Sequence, residues 1–250
     1  MPFTFSHPAL IIPLLHSRGR MPWLSATGLI TSSMAPDCEK FLRLRLASGH
    51  SHTFGSIFYF SCPVALVLAF TFHLLVRKPL LTHLPPVLYR RLGRFTHVDW
   101  VGYFRNYYWG VILSILIGAM LHLFWDIFTH PDPLANEFFP LLAQWVNFGG
   151  EQIQGFFLMG LLSSVVGGMV VIGAIWKMPV CQKGPVPTLA AVLRYWGIVL
   201  VVAAVLTVNW LLLVEPGMIN GGISAISAFL VGIVVASVYS SYSTYKIATQ

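Results

Sequence analysis

Tyr195-Trp-Gly-Ile-Val-Leu-Val-Val-Ala-Ala-Val-Leu-Thr-Val-Asn-Trp-Leu-Leu-Leu-Val214 runs for twenty residues without a charge. The hydrocarbon core of a membrane is crossed by about 20 apolar residues in a helix, so this stretch reads as a transmembrane span. Four others read the same way: Ser56–Val76, Tyr107–Phe128, Ile153–Trp176 and Ile223–Tyr242. The first of these ends on the charged stop Arg77-Lys78-Pro79, and Trp and Tyr cluster at several ends as interfacial anchors do. Composition agrees. Apolar residues make up 56% of the 250 and charged residues only 9%, against about 25% charged in a soluble domain. The expected fold is all-α, a polytopic membrane bundle of about five helices. It forms a single membrane domain over residues 1–250, with an N-terminal docking region (1–55) and a bundle (56–245).

The net charge of +7 lies in loops beside the apolar runs. That pattern fits membrane orientation and speaks against nucleic-acid binding, which gathers Lys and Arg on one folded face. One side carries Arg77, Lys78, Arg90, Arg91, Arg94, Arg105, Lys177, Lys183, Arg194 and Lys246. The other carries Arg18, Arg20, Lys40, Arg43 and Arg45, plus loops holding only the acids Asp132, Glu137, Glu151 and Glu215. The richer side is expected to be cytoplasmic and the N-terminal region outside. No cleavable signal peptide is expected, because Arg18 follows the short apolar run Leu10–Leu15 instead of preceding it. Cys38, Cys62 and Cys181 are scattered, which leaves no disulfide framework or thiolate metal site.

The apolar pieces Pro8–Leu15 and Trp23–Met34 are too short or too polar to span. They are expected to be short helices docked on the bundle. Gly160, Ser164 and Gly168 recur every four residues, as do Ser224, Ala228, Gly232, Ala236 and Ser240. Small residues at that spacing line one helix face and admit close helix packing, within the chain or between copies in a homo-oligomer. There is no long repeat of the inverted-repeat transporter kind.

The chemistry resides in His122-Leu-Phe-Trp-Asp126. Four residues make about one helical turn, so both side chains share a face. A carboxylate near the end of an apolar run is costly unless it pairs or binds a cation. Imidazole and carboxylate one turn apart suit a divalent metal, or else a hydrogen bond joining two helices. His52 precedes the first span, Asp37 and His7 belong to the N-terminal region, and His130 follows Asp126 by one turn, before Pro131. All of these fall at the outer end of the expected topology. Asp37, held by the turn Ser33-Met-Ala-Pro-Asp37, is a ligand or a cap for the segment Cys38–Leu46. Of His50 and His52, two apart, one is expected in the site, and His52 is chosen. His16, His73, His83 and His97 are expected in interfacial or solvated roles.

The opening Met1-Pro-Phe-Thr-Phe-Ser-His7-Pro-Ala, the turn Ser33–Asp37, the step Ser51-His52-Thr53 and the segment Leu121–His130 together resemble the domain-of-unknown-function 4184 family of bacterial membrane proteins. The resemblance covers nearly the whole chain, and the motifs occur in the expected order. That family is similar in turn to membrane-bound metal-dependent hydrolases. More distantly it resembles the zinc phospholipase C and nuclease group, where a His, Asp, His and HxxxD set binds zinc ions that hydrolyse phosphate esters. The resemblance implies His7, Asp37, His52, His122, Asp126 and His130 as metal ligands, a divalent metal such as zinc, and the bacterial inner membrane as location. It is incomplete in one place. The phospholipase group carries a later His and an HxxxE pair, and similar membrane proteins carry a His before a Ser-Ser pair in the third helix. Here the stretch reads Gly160-Leu-Leu-Ser163-Ser164, and no histidine follows His130. One or two metals are therefore expected, not three.

These residues lead to an expected membrane-embedded, metal-dependent hydrolase, with a lipid or lipid-linked phosphoester as substrate and Asp37 or Asp126 available as base. Two other classes compete. A transporter would use His122 and Asp126 as a cation or proton site, but the last three spans hold almost no ionisable residue, and Asn209 is the main polar group among them. A non-catalytic scaffold would use the His/Asp set to hold the N-terminal region to the bundle.

Overall fold

A computed structural model of the chain describes residues 3–16, 19, 21–47, 49–131, 133–180, 187–214 and 217–248. Arg18, Arg20, Asp132, Cys181, Lys183 and Glu215 lie outside the described residues, as does the side chain of Lys246. Five helices are long and apolar enough to cross a membrane: Ile57–Thr82, Trp100–Asp126, Gly155–Trp176, Leu189–Val214 and a fifth through Met218–Ser243. Their outer faces are apolar. Leu213 is 80% exposed and Val201 63%, a surface that only lipid solvates at low cost. The chain is a multi-pass membrane protein.

In chain order we number the helices α1 (Ile12–His16), α2 (Ala26–Ser32), α3 (Cys38–Arg43), α4 (Ile57–Thr82), α5 (Pro86–Leu92), α6 (Trp100–Asp126), α7 (Pro133–Phe138), α8 (Gly155–Trp176), α9 (Leu189–Val214) and α10 (Met218–Ala248). Three spans, α6, α9 and α10, begin earlier than their apolar runs, and polar caps start the first two. Asp99 Oδ1 accepts the Gly102 N–H at 2.9 Å ahead of α6, and Thr188 Oγ1 accepts the Ala191 N–H at 3.3 Å ahead of α9. Within α4, two π-helical stretches, Ile57–Ser61 and Phe72–Val76, each precede a proline, Pro63 or Pro79. Proline lacks the N–H that a regular ladder requires.

The chain divides into two compact units. The first contains Met1–Asp37, Gly49–Leu66 and Phe104–Trp176. Its core is Ile11, Leu24 and Leu29, packed with Leu14, Leu15, Met21, Trp23, Ile30, Ile117 and Leu121. The N-terminal residues Thr4–Ile11 form a 3-10 helix of eight residues, long for that geometry. It is clamped to α8. The Phe3 N–H donates to Ser164 Oγ and Ser6 Oγ donates to the Ser164 carbonyl, both at 2.8 Å. At Gly167 a Cβ would come within 2.9 Å of Ser6. The small-residue face of α8 thus seats this N-terminal helix.

One element departs from the all-α expectation. Ile153 and Gln154, expected to open the third span, lie instead in the second strand of a hairpin. Strand β1 (Trp145–Phe148) pairs antiparallel with β2 (Glu151–Gln154). Gly149 and Gly150 have φ of 64° and 91°, the double positive φ that a two-residue hairpin turn demands. Helix α8 begins only after it.

The second unit contains Cys38–Ser48, Val67–Tyr103 and Lys177–Gln250. Helices α9 and α10 pack around Tyr195, Val199 and Ala236. A Cβ at Gly232 would lie 2.6 Å from the Val199 carbonyl. The Ser224 and Ser227 hydroxyls reach the carbonyls of Leu44 and Phe41, after and within α3.

Candidate metal centre

Helix α6 carries Gly110, Ser114, Gly118, His122 and Asp126, each four residues after the last. Such a row forms one ridge of a helix. Its first three positions are small, and the segment leading into and through α2 packs directly onto them. A Cβ at Gly110 would collide with the Trp23 carbonyl, and one at Gly118 with Ser32 Oγ, while the Leu29 carbonyl would lie 2.6 Å from the latter. Ser114 Oγ accepts the Ser25 N–H at 2.9 Å, and Ser25 caps α2 by accepting the Gly28 N–H at 3.0 Å. The backbone contact set by the small residues delivers the next two positions, His122 and Asp126, to the turn that follows α2.

That turn does two things. The Ser33 carbonyl lies 2.7 Å from His122 Nδ1. A carbonyl only accepts, so Nδ1 carries the proton and Nε2 is left with its lone pair. Four residues later Asp37 enters the same space. Its Oδ1 lies 4.0 Å from His122 Nε2, and its Oδ2 accepts the Thr4 hydroxyl at 2.5 Å. His7 arrives from the 3-10 helix, with Nε2 at 3.4 Å from Asp126 Oδ1 and its ring stacked on His122 at 3.9 Å between centroids.

His52 comes from the loop before α4. Thr53 and Ser56 exchange backbone-to-hydroxyl hydrogen bonds at 3.2 Å each way, and Ser56 Oγ lies 2.6 Å from the Ser51 carbonyl. This tight turn holds the Ser51 hydroxyl 2.8 Å from His52 Nδ1. His52 Nε2 then faces Asp126 Oδ2 at 3.2 Å and Asp37 Oδ1 at 3.6 Å.

Two sets of ligand-type atoms emerge, His7–His122–Asp126 and Asp37–His52–His122, each with its atoms within 4.8 Å of one another. His130 belongs to neither. Its Nδ1 donates to the Asp126 carbonyl at 3.1 Å and lies 3.6 Å from Asp126 Oδ1, so it sits at the rim. His7, Asp37, His122 and Asp126 are buried and His52 nearly so. His7 Nδ1, His52 Nε2, His122 Nε2, Asp126 Oδ2 and His130 Nε2 are buried without a hydrogen bond. Buried polar atoms are rarely left so. The lone pair of His122 Nε2 faces a carboxylate oxygen at 3.3 Å, an arrangement that repels unless a proton or metal cation lies between. The donor set of imidazole and carboxylate suits zinc and its neighbours.

The protonation pattern follows from the same contacts. Burial lowers the pKa of His7, and the adjacent His122 ring adds to this. Burial likewise lowers that of His130. Burial also opposes charge on His52, but the Asp126 and Asp37 carboxylates facing its Nε2 outweigh it and raise its pKa to about 9.

The remaining histidines lie elsewhere. His16 donates from Nδ1 to the Ile12 carbonyl, and His50 and His97 are exposed. His73 and His83 are more engaged than an interfacial role suggests. His73 accepts from Arg77 at 2.7 Å and stacks on Trp100, and His83 stacks on Tyr195. Thr4, Ser33 and the row Gly110–Ser114–Gly118 were not singled out from sequence. The row was visible there, as the four-residue spacing continued upstream from His122.

A multi-pass helical membrane protein with a buried, multi-segment His/Asp cluster is the class that this fold and geometry define. The chain belongs to the family described as Domain of unknown function (DUF4184), whose model matches residues 1–238. No curated protein and no solved structure matches it.

Proposed function

We propose that the protein is a membrane-embedded, metal-dependent hydrolase of phosphoesters, acting on a lipid or lipid-linked substrate at the outer face of a bacterial inner membrane. The observation that carries this reading is the convergence of three ligand-type atoms, His52 Nε2, His122 Nε2 and Asp126 Oδ2, buried together without a hydrogen bond. His7, Asp37, His52, His122 and Asp126 would hold one or two divalent ions, zinc by donor chemistry, with His130 at the rim. Such an ion supplies Lewis acidity and an acidified water at neutral pH. The chain's own contribution is positional. Ser33 fixes the tautomer of His122, Thr4 orients Asp37, and Ser51 orients His52, the kind of outer contacts that tune a metal site. Asp126 presents both oxygens to histidines, one towards His7 and His130 and the other towards His52 and His122.

A structural role for the cluster is the second reading. It is favoured by the way Asp126 contacts two other chain segments, those of His7 and His52, while His52 and His122 link in Asp37. Elemental mass spectrometry on detergent-purified protein separates the two. Wild type is expected to carry about one or two transition-metal ions per chain, and Asp126→Asn with His52→Ala is expected to carry none. Folded wild type that stays metal-free after zinc is resupplied would sink the hydrolase reading and leave the structural and transporter readings. Metal-loaded protein is then assayed against phosphoesters.

A further inference from the structure

A groove of about 290 Å³ runs along α8 beside the cluster. Its wall on α8 is Met159, Leu162, Val166 and Val170, closed by Leu10 of the N-terminal helix and Trp125 of α6. The α8 positions are spaced by three or four, one face of the helix. Met159 to Val170 covers eleven residues, about 16 Å of groove. Leu162, Val166 and Val170 are exposed, so the groove opens outward from a membrane span. His7 is also in the wall, and its imidazole contacts Asp126. Ser163 lines the groove too. It is 8% exposed, and its hydroxyl has no hydrogen-bond partner.

The geometry points to an acyl-chain site: one fatty chain of a membrane phospholipid lies in this groove along α8, one side chain away from the His/Asp cluster. The occupant follows from location and lining. A groove opening at the middle of a membrane span meets hydrocarbon chains and no bulk water. Its walls are aliphatic and aromatic, as a chain needs. The unpartnered Ser163 hydroxyl is a donor for an ester carbonyl. That the seated lipid is also the substrate of the cluster rests on the hydrolase reading; the seat itself does not.

The experiment uses the full chain in phosphatidylethanolamine–phosphatidylglycerol vesicles containing a phospholipid with a photoactivatable diazirine in one acyl chain, with adducts mapped by peptide mass spectrometry. Adducts are expected to concentrate on Leu162, Val166, Val170 and Trp125, over Val165 and Met169, which face outward from the same helix but do not line the groove. Val166→Trp fills the groove. Losing the burial of even two methylenes is expected to cut groove labelling roughly tenfold. Val165→Trp adds the same ring outside the groove and should leave it unchanged, and Val170→Trp repeats the block further along. Thermal unfolding in detergent and metal content are read on each variant, so one that misfolds is recognised by its unfolding, whether or not the protein binds metal, and replaced by the other. Labelling spread evenly over α8, or insensitive to both blocking substitutions, overturns the site. So does an absence of groove adducts with cross-links to a second copy instead. The labelling needs no turnover, so a protein that binds no metal would still show it, and loss of labelling would leave metal content intact. If the hydrolase reading holds, Val166→Trp should raise KM for a long-chain phosphoester and spare a short, water-soluble one.

Discussion

Helices α6 and α10 are built on the same device and use it differently. Both carry a row at four-residue spacing, Gly110–Ser114–Gly118–His122–Asp126 in one and Ser224–Ala228–Gly232–Ala236–Ser240 in the other. In α10 the row is small throughout, and it packs: Gly232 meets the Val199 backbone and Ser224 the Leu44 carbonyl. In α6 the first three positions pack in the same way against the α2 segment, and the last two are ionisable. A packing ridge thereby becomes the rail on which a site is assembled, because close backbone approach at Gly118 sets how near Ser33 and Asp37 come to His122.

The comparison breaks most sharply at its glycines. Gly118→Val places a Cβ onto Ser32 Oγ and near the Leu29 carbonyl, and Gly232→Val places one near the Val199 carbonyl. Backbone cannot yield as a flexible side chain can, so each is expected to cost about 3 kcal/mol, the upper part of the overpacking range. Thermal unfolding in detergent should fall comparably for both. Metal stoichiometry should not: Gly118→Val is expected to lose most of it and Gly232→Val to keep it. Equal retention would mean that the α6 row does not position the cluster.

Acidity sharpens the same contrast in metal-free protein. The His52 pKa rises from 6.5 to about 9 on folding, so the folded state favours its proton. Its stabilisation is complete below about pH 6.5 and is lost as pH climbs through about 9. His7 and His130 shift downward through burial, so they disfavour folding in acid and cease to do so as pH rises to about 6.5. Stability of the first unit is expected to peak near pH 6.5 and to decline from there to about 9. Excess zinc should reverse the alkaline decline, since ligation requires the neutral ring. An unfolding midpoint that rises steadily from pH 6.5 to 9 without metal would contradict the His52 contacts.

The spans were legible because about 20 apolar residues have one meaning in a chain with so few charges. His122 and Asp126 were legible because a helical turn fixes their relation before any tertiary contact forms. Helix ends were less so: Asp99 and Thr188 start α6 and α9 with a single side-chain bond each, which an apolar count does not weigh. The hairpin was hidden for a similar reason, since Gly149-Gly150 is a turn signal only two residues long inside what reads as a helix approach. Least legible were the groups that orient the site. Thr4 and the Ser33 carbonyl lie far in sequence from what they hold, and a backbone carbonyl leaves no mark on composition.

Those orienting groups allow the finest comparison between the two units. Thr4→Val keeps the shape of the side chain and removes one donor to the buried Asp37 carboxylate. Hydrogen bonds to charged groups are worth about 1.5–3 kcal/mol, and a lost outer contact weakens a metal site roughly 10–100-fold. The variant should therefore lose both some stability and at least about tenfold in zinc affinity. Tyr195→Phe removes the hydroxyl that meets Ser237 in the second unit. Ser237 already donates to the Ile233 carbonyl at 2.7 Å, so it keeps a partner, and the cost should be about 1 kcal/mol or less. Zinc titration in detergent at fixed pH is expected to show a weakened site in the first variant and an unchanged one in the second. Were Thr4→Val to bind zinc as wild type does while losing stability, the Thr4–Asp37 contact would serve only to dock the N-terminal helix, and Asp37 would fall out of the ligand set.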